Sequence, residues 1–138
     1  MKNYEFLEHT ADFGIRVWGK TQTELFTNAA TGMFEYITDI SKVKPTKTIA
    51  MELESDDRNG LLKDWLSELL YYCNVKNMLF CEFKIDAIDD KRIECELKGE
   101  RIDKSTYKLN HEVKAVTFHN LNIEEKEGLL TTEIIFDV

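Results

Sequence analysis

The stretch Asn59-Gly60-Leu61-Leu62-Lys63-Asp64-Trp65-Leu66-Ser67-Glu68-Leu69-Leu70-Tyr71-Tyr72-Cys73 decides the fold class. Leu61, Leu62, Trp65, Leu66, Leu69, Leu70 and Cys73 recur at helical spacing and share one face. The stripe is broad enough to face a sheet, not merely one partner helix. Lys63, Asp64, Ser67 and Glu68 fall on the side towards water. The preceding Glu54-Ser55-Asp56-Asp57 places carboxylates at the positive end of the helix dipole. Asp57 or Asn59 suits the cap. Fully burying one of these leucines is worth roughly 1.5–3 kcal/mol, so this helix is the expected centre of the core.

Working outward, an earlier helix begins at Thr21. Its hydroxyl can cap free backbone N–H groups, and Glu24 stands in capping-box position. Leu25, Phe26, Ala29, Ala30, Met33, Phe34 and Ile37 form its apolar face, and the polar stretch Asp39 to Pro45 ends it. The rest reads as strands. Tyr4 to His9 is a short first strand. A polar turn, Thr10 to Gly14, leads to a second containing Ile15, Val17 and Trp18 and closed by Gly19. Ile49, Met51 and Leu53 alternate with polar neighbours. Phe83, Ile85 and Ala87 form another strand, turning at Asp89-Asp90 into Ile93, Cys95 and Leu97. Gly99 to Asn110 reads as a polar connection. Glu112 to His119 reads as a strand with Lys114 and Val116 on one face and Thr117 and His119 on the other. Leu121 to Glu125 continues or reverses it, and Leu129 to Asp137 is the final strand. Two amphipathic helices with about seven short strands predict one α+β domain over residues 1–138. The expected form is a two-layer sandwich, with both helices packed on a largely antiparallel or mixed β-sheet.

Hydrophobic residues make up 43% of the 138-residue chain, enough for a core without disulfides or a structural metal. Cys73, Cys81 and Cys95 are an odd number without paired short spacing, which argues against a disulfide framework and a zinc site. The formal charge of −8 disfavours stable direct nucleic-acid binding, because that binding draws on Lys and Arg at phosphates. A partner with a basic surface fits the sign better. Neither a secretory signal nor a membrane-length apolar run is evident, and a cytoplasmic location is expected.

Candidate site residues lie at both ends of the chain. In Glu8-His9-Thr10-Ala11-Asp12, Asp12 either accepts backbone N–H bonds in a turn or offers oxygen to a hard cation; His9 either satisfies a buried hydrogen bond or meets a partner. At the other end, Asp137 and the Val138 α-carboxylate form either a solvated terminus or, beside Asp12, a cluster of three negative groups. Such a cluster would repel itself or recruit a cation, and oxygen-only ligands favour Ca²⁺ or Mg²⁺ over zinc. Lys114 is either a snorkelling lysine or a contact for a partner's carboxylate or phosphate. No nucleophile elbow, Gly-rich phosphate loop or helical His-Glu-x-x-His is present. These absences weaken an enzymatic reading.

Five segments together resemble the archease family. They are Tyr4 to Asp12, Asp64 to Leu70, Gly99-Glu100, Lys114 to His119 and Ile135 to Val138. The likeness spans nearly the whole chain; relatives often carry an aromatic residue where Leu129-Leu130-Thr131-Thr132 stands here. It implies a non-enzymatic activator of RtcB-type tRNA-splicing ligases, which join RNA ends through a guanylylated histidine. The activator promotes guanylylation and multiple turnover of the ligase. The family's cation site falls on the Asp12 and Asp137 side chains and the Val138 carboxylate. Ca²⁺ is expected there, with Mg²⁺ or Mn²⁺ as alternatives. Lys114 is the leading partner-facing residue, followed by His9. Two other classes stay open on the residues alone: a metal-dependent phosphoester hydrolase or nuclease, and a general chaperone or adaptor.

Overall fold

The computed structural model describes residues 3–8, 13–117 and 121–138, with only the backbone of Glu8. Strands β1 (Tyr4–Glu8) and β2 (Phe13–Gly19) form a hairpin, followed by helix α1 (Gln22–Ile37). After a short 3-10 turn (Ile40–Lys42) come β3 (Lys47–Glu54), helix α2 (Arg58–Asn74), β4 (Met78–Ile88) and β5 (Arg92–Arg101). Strands β6 (Ala115–Val116), β7 (Glu124–Lys126) and β8 (Leu129–Asp137) complete the described elements. The expected two-layer α+β arrangement is present, and every strand pair is antiparallel. The strands divide between two sheets instead of one. The first has the order β1-β2-β8-β6 with β7 also on β8; the second has the order β3-β5-β4. Helix α1 packs against β1, β2 and β8 of the first sheet and against β4 of the second. None of the described helices is long and apolar enough to cross a membrane.

Both helices start as their sequences predict. Thr21 Oγ1 accepts from the Glu24 N–H at 3.1 Å. Glu24 reaches back to the Lys20 N–H at 3.4 Å, one residue before the cap. Asp57 caps α2 by accepting from the Gly60 N–H at 2.7 Å. The alternative cap, Asn59, instead accepts from the Ile123 N–H at 2.9 Å, so it ties the helix start to the segment before β7. The whole predicted α2 stripe is buried. Trp65 is fully buried, and its indole N–H donates to the Phe26 carbonyl at 3.0 Å, joining the two helices. That bond satisfies the one polar atom of the ring where water cannot reach it.

Several boundaries depart from expectation for identifiable reasons. Gly14 lies inside β2, paired with Leu7 and Ile135, and is not part of a turn. Strand β4 begins at Met78, because Met78, Leu79 and Phe80 are all buried and lack alternation. Bulge-type register shifts between Phe80 and Glu82 and between Ile85 and Ala87 interrupt its pattern. Strand β5 runs through Gly99 to Arg101, where the sequence suggested a polar connection. Gly99 continues the buried series Ile93, Cys95, Leu97 because the β4 backbone passes so close that a side chain is excluded. A Cβ on Gly99 would stand 1.9 Å from the Leu79 carbonyl oxygen. The segment left open at Leu121 to Glu125 reverses into β8 through Glu127 and Gly128. Both have positive φ, 53° and 79°, as a tight two-residue hairpin turn requires.

Gly99→Ala is expected to destabilise the protein by about 3 kcal/mol or more, since the clash is with backbone and not with a flexible side chain. Urea unfolding followed by far-UV circular dichroism measures this loss. A midpoint equal to that of the wild type would show that β4 and β5 can separate at Gly99 without cost.

Candidate functional site

Strand β8 owes its position to its own pattern. Thr132, Ile134 and Phe136 are buried on one face, and Ile135 is buried on the other. Along one edge β8 pairs with β2, ending at Phe13↔Phe136. Along the other it pairs with β6 through Ala115↔Asp137 and Val116↔Phe136. The Lys114 N–H donates to the Asp137 carbonyl at 2.8 Å, and the Thr117 N–H to the Ile135 carbonyl at 2.9 Å. Fully buried Phe136 anchors the end of β8, Asp137 is its last paired residue, and Val138 leaves the sheet from that fixed point. The side chains of Asp137, Val138 and Lys114 are exposed.

The structure therefore brings Asp137, Val138 and Lys114 to one end of the first sheet. Asp12 and His9 lie outside the described residues, as do Thr10 and His119. The β1–β2 hairpin pairs Glu8 with Phe13 at this same end. Among the described residues, no group of three or more His, Cys, Asp or Glu side chains lies close enough to hold a metal ion. The exposed Asp137 carboxylate makes no hydrogen bond or ion pair with a described residue.

Lys114 is placed differently from its predicted strand face. Only Ala115 and Val116 are strand, and Lys114 is exposed while Val116 is buried. Val113 and Val116 both point inward, with Lys114 and Ala115 outward between them, so strict alternation does not hold. The cause is an anchor before β6. Val113 is buried, and its carbonyl accepts from Asn74 Nδ2 at 2.9 Å, at the end of α2.

A column of rings stands behind this end of the sheet. Phe13 stacks on Tyr36 with centroids 3.5 Å apart and planes 8° apart. Tyr36 stacks on His111 at 4.2 Å and 7°. Phe13 also stacks on Phe136 at 5.7 Å. Half-exposed Phe6 meets Phe13 and Tyr36 edge-on at 5.3 and 5.8 Å. His111 is held by its own N–H, 3.3 Å from the Ile37 carbonyl, which also accepts from Asn110 at 2.8 Å. Sequence reasoning gave His111 no role and did not single out Tyr36 or Asn74. Their partners come from separate elements, and no periodicity links them.

Burial disfavours the thiolate form at all three cysteines. Burial pushes the Cys73 thiol up to about 11, with Lys104 opposing and Glu112 adding to the shift. Burial pushes Cys95 up to about 12, helped by the charge of Asp86. Both are protonated thiols near neutrality, and all three cysteines are free. A shallow polar hollow of about 240 Å³ is lined by Arg16, Asn122, Thr131 and Glu133 among others. Its Arg16 is occupied by Glu5 at 2.5 Å and Glu133 at 2.9 Å, so its charge is not free for an anion.

The geometry can be set beside known proteins. The model of the Archease protein family matches residues 4–138. The protein archease of Sulfurisphaera tokodaii is 38% identical over 140 residues, covering 100% of both chains. That of Methanothermobacter thermautotrophicus is 40% identical over 141 residues, again covering 100% of both. The solution structure of Methanobacterium thermoautotrophicum protein 1598 has a TM-score of 0.83 at 38% identity and covers 100% of each chain. A Thermotoga maritima crystal structure, described as an archease and possible chaperone, has a TM-score of 0.70 at 20% identity over 96% of this chain and 94% of that one. At that identity it speaks for the fold alone.

Two outcomes follow from the anchors and the thiols. Asn74→Ala removes the donor to the Val113 carbonyl and is expected to cost about 1 kcal/mol, with faster hydrogen exchange concentrated at residues 113–116. Unchanged exchange there would show that Asn74 does not hold the segment. Iodoacetamide at about pH 8 is expected to spare Cys73 and Cys95 in the native protein and to label all three cysteines in urea, because raised thiol values keep the reactive thiolate scarce. Mass spectrometry reads the labelling, and rapid native modification of Cys95 would contradict its burial.

Proposed function

The chain belongs to the archease family, and from that membership we propose that it is the cytoplasmic protein cofactor of an RtcB-type RNA ligase in tRNA splicing. It promotes guanylylation and repeated turnover of the ligase through transient contact and performs no chemistry of its own. Asp12, Asp137 and the Val138 α-carboxylate hold a divalent cation at the contact surface, Ca²⁺ in the first instance, with Mg²⁺ or Mn²⁺ accepted by the same oxygens. Lys114 faces the partner, with His9 as a second partner contact.

The observation that carries this reading is the register Phe13↔Phe136. Asp12 is the residue covalently preceding Phe13, and Asp137 the one following Phe136. Each is one peptide unit from a member of the same hydrogen-bonded pair. Support also comes from the exposed Asp137 carboxylate, which no described residue claims. A cation bound there supplies the positive charge that offsets repulsion among carboxylates. Asp137 then presents oxygen from a backbone paired with β6, one residue past Phe136, which is paired on both edges. Lys114, whose N–H donates to the Asp137 carbonyl, contributes a positive charge at the same sheet end. The chain's net charge of −8 favours encounter with a basic ligase surface. Activation itself requires tighter binding to a productive ligase state than to a resting one.

The test is covalent guanylylation of a ligase with GTP and metal, with and without this protein. Asp12→Ala, Asp137→Ala and addition of one residue after Val138 are each expected to reduce stimulation by roughly ten-fold or more, in keeping with loss of a metal ligand. Lys114→Glu is expected to reduce stimulation while leaving Ca²⁺ binding intact. Full stimulation by folded Asp12→Ala protein would sink the cation reading. RNA cleavage by the purified protein without a ligase would move it to the hydrolase class.

A further inference from the structure

We propose that Tyr36 is a positioning residue for the Asp137–Lys114 end of the first sheet, an inference that rests on the cofactor reading above and adds a residue outside its ligand set. Tyr36 lies in the last turn of α1, between Phe13 and His111. Its ring is nearly parallel to both, with planes 8° and 7° apart. Phe13 stacks on Phe136, the residue before Asp137. His111 opens the short segment that leads to Lys114, and the Lys114 N–H donates to the Asp137 carbonyl. The contacts thus close a circuit that runs Tyr36, Phe13, Phe136, Asp137, Lys114, His111 and back to Tyr36.

That circuit has a rigid member and two thin ones. Helix α1 is seated on both sheets, whereas β6 is two residues long and shares two register pairs with β8. The segment before Lys114 is held in two places, next to Lys114 by buried Val113 and its bond from Asn74 of α2, and at its start by α1 at adjacent positions. The Ile37 carbonyl takes the N–H groups of Asn110 and His111, and the Tyr36 ring takes the His111 imidazole. The three rings lie nearly parallel with centroids 3.5 and 4.2 Å apart, so a tilt of the His111 ring would drive it into Tyr36. The Tyr36 ring therefore fixes the start of the Lys114 segment and, together with the Val113 anchor, the angle at which its backbone meets β8. Half-exposed Tyr36 is not at the centre of the core, so its ring can be altered without emptying the α1–α2 interface.

Three full-length proteins test this: wild type, Tyr36→Ala and Tyr36→Phe. Amide hydrogen exchange is followed at Lys114 and Thr117, whose N–H groups bond to β8, and at α2 as an internal control. Ligase guanylylation is measured in parallel, and Ca²⁺ alone is titrated into each protein. Tyr36→Ala is expected to raise exchange at Lys114 and Thr117 by about ten-fold or more with α2 unchanged. Stimulation should fall by roughly 10- to 100-fold, the range for groups that support a ligand shell from behind. Tyr36→Phe keeps the stack and is expected to match the wild type in both. Wild-type protection and stimulation in Tyr36→Ala would overturn the proposal. So would an equal loss in Tyr36→Phe, or a rise in α2 exchange as large as that at Lys114. If wild-type protein neither binds Ca²⁺ nor stimulates the ligase, the cofactor reading fails, while the exchange comparison still decides whether Tyr36 positions Lys114.

Discussion

The pairing of β8 with β2 is the constraint on which the rest of the structure depends. It runs without interruption from Gly19↔Leu130 to Phe13↔Phe136, and it joins segments from opposite ends of the chain. Closing so long a loop costs entropy that grows slowly with length. That cost is offset by a ladder of hydrogen bonds and by the burial of Ile15, Val17, Ile134 and Phe136. The residue period of a strand makes the register strict, because a slip of one residue would carry Ile134 and Phe136 off the core face. The same register delivers Asp137 beside the β1–β2 hairpin. The position of Asp137 is thus a consequence of core packing.

The helices extend this constraint to the second sheet. Trp65 bonds to Phe26 across the helix pair, and its ring meets Phe83 of β4 edge-on. Phe34 in turn meets Phe80 and Phe83. Aromatic side chains thus bridge helices and sheet on one side, while the Phe13–Tyr36–His111 column does so on the other. Exposed ion pairs contribute little by comparison, since solvent screens them and ordering long side chains costs entropy. Arg92 lies between the opposed Glu52 and Glu94 on the outer face of the second sheet. Its role there is to relieve the repulsion of two carboxylates placed directly opposite each other.

The chemistry-bearing side chains of the chain differ in how far they are already engaged. Its cysteines are free, and burial holds Cys73 and Cys95 in the thiol form. Arg16 is committed to Glu5 and Glu133. Lys114 and Asp137 instead stand exposed at a sheet end whose backbone is fixed from two directions. A backbone that is already held need not be ordered on docking, which leaves only the side-chain entropy to be lost.

Both helices, their caps at Thr21 and Asp57, the buried α2 stripe and the final strand were legible in the sequence. Each is specified locally, by spacing along the chain and by side chains that bond their own backbone neighbours. The five quoted segments also pointed to the family. The division into two sheets was not legible, because strand partners are chosen by long-range packing and not by neighbours in sequence. Gly99 read as a break, yet it is the point where two strands approach too closely for a Cβ. Lys114 read as a member of a regular strand, whereas the Asn74 bond to Val113 and the short β6 turn it outward. Tyr36 and His111 carried no signal at all, since a stack of rings from α1, β2 and a loop exists only after the chain has closed on itself. Sequence by itself determined which residues form helices and strands and which face of each is apolar, because those properties repeat over a few residues. Tertiary structure alone decided which strands pair and which distant side chains meet, because the energy of those contacts depends on the whole packed core.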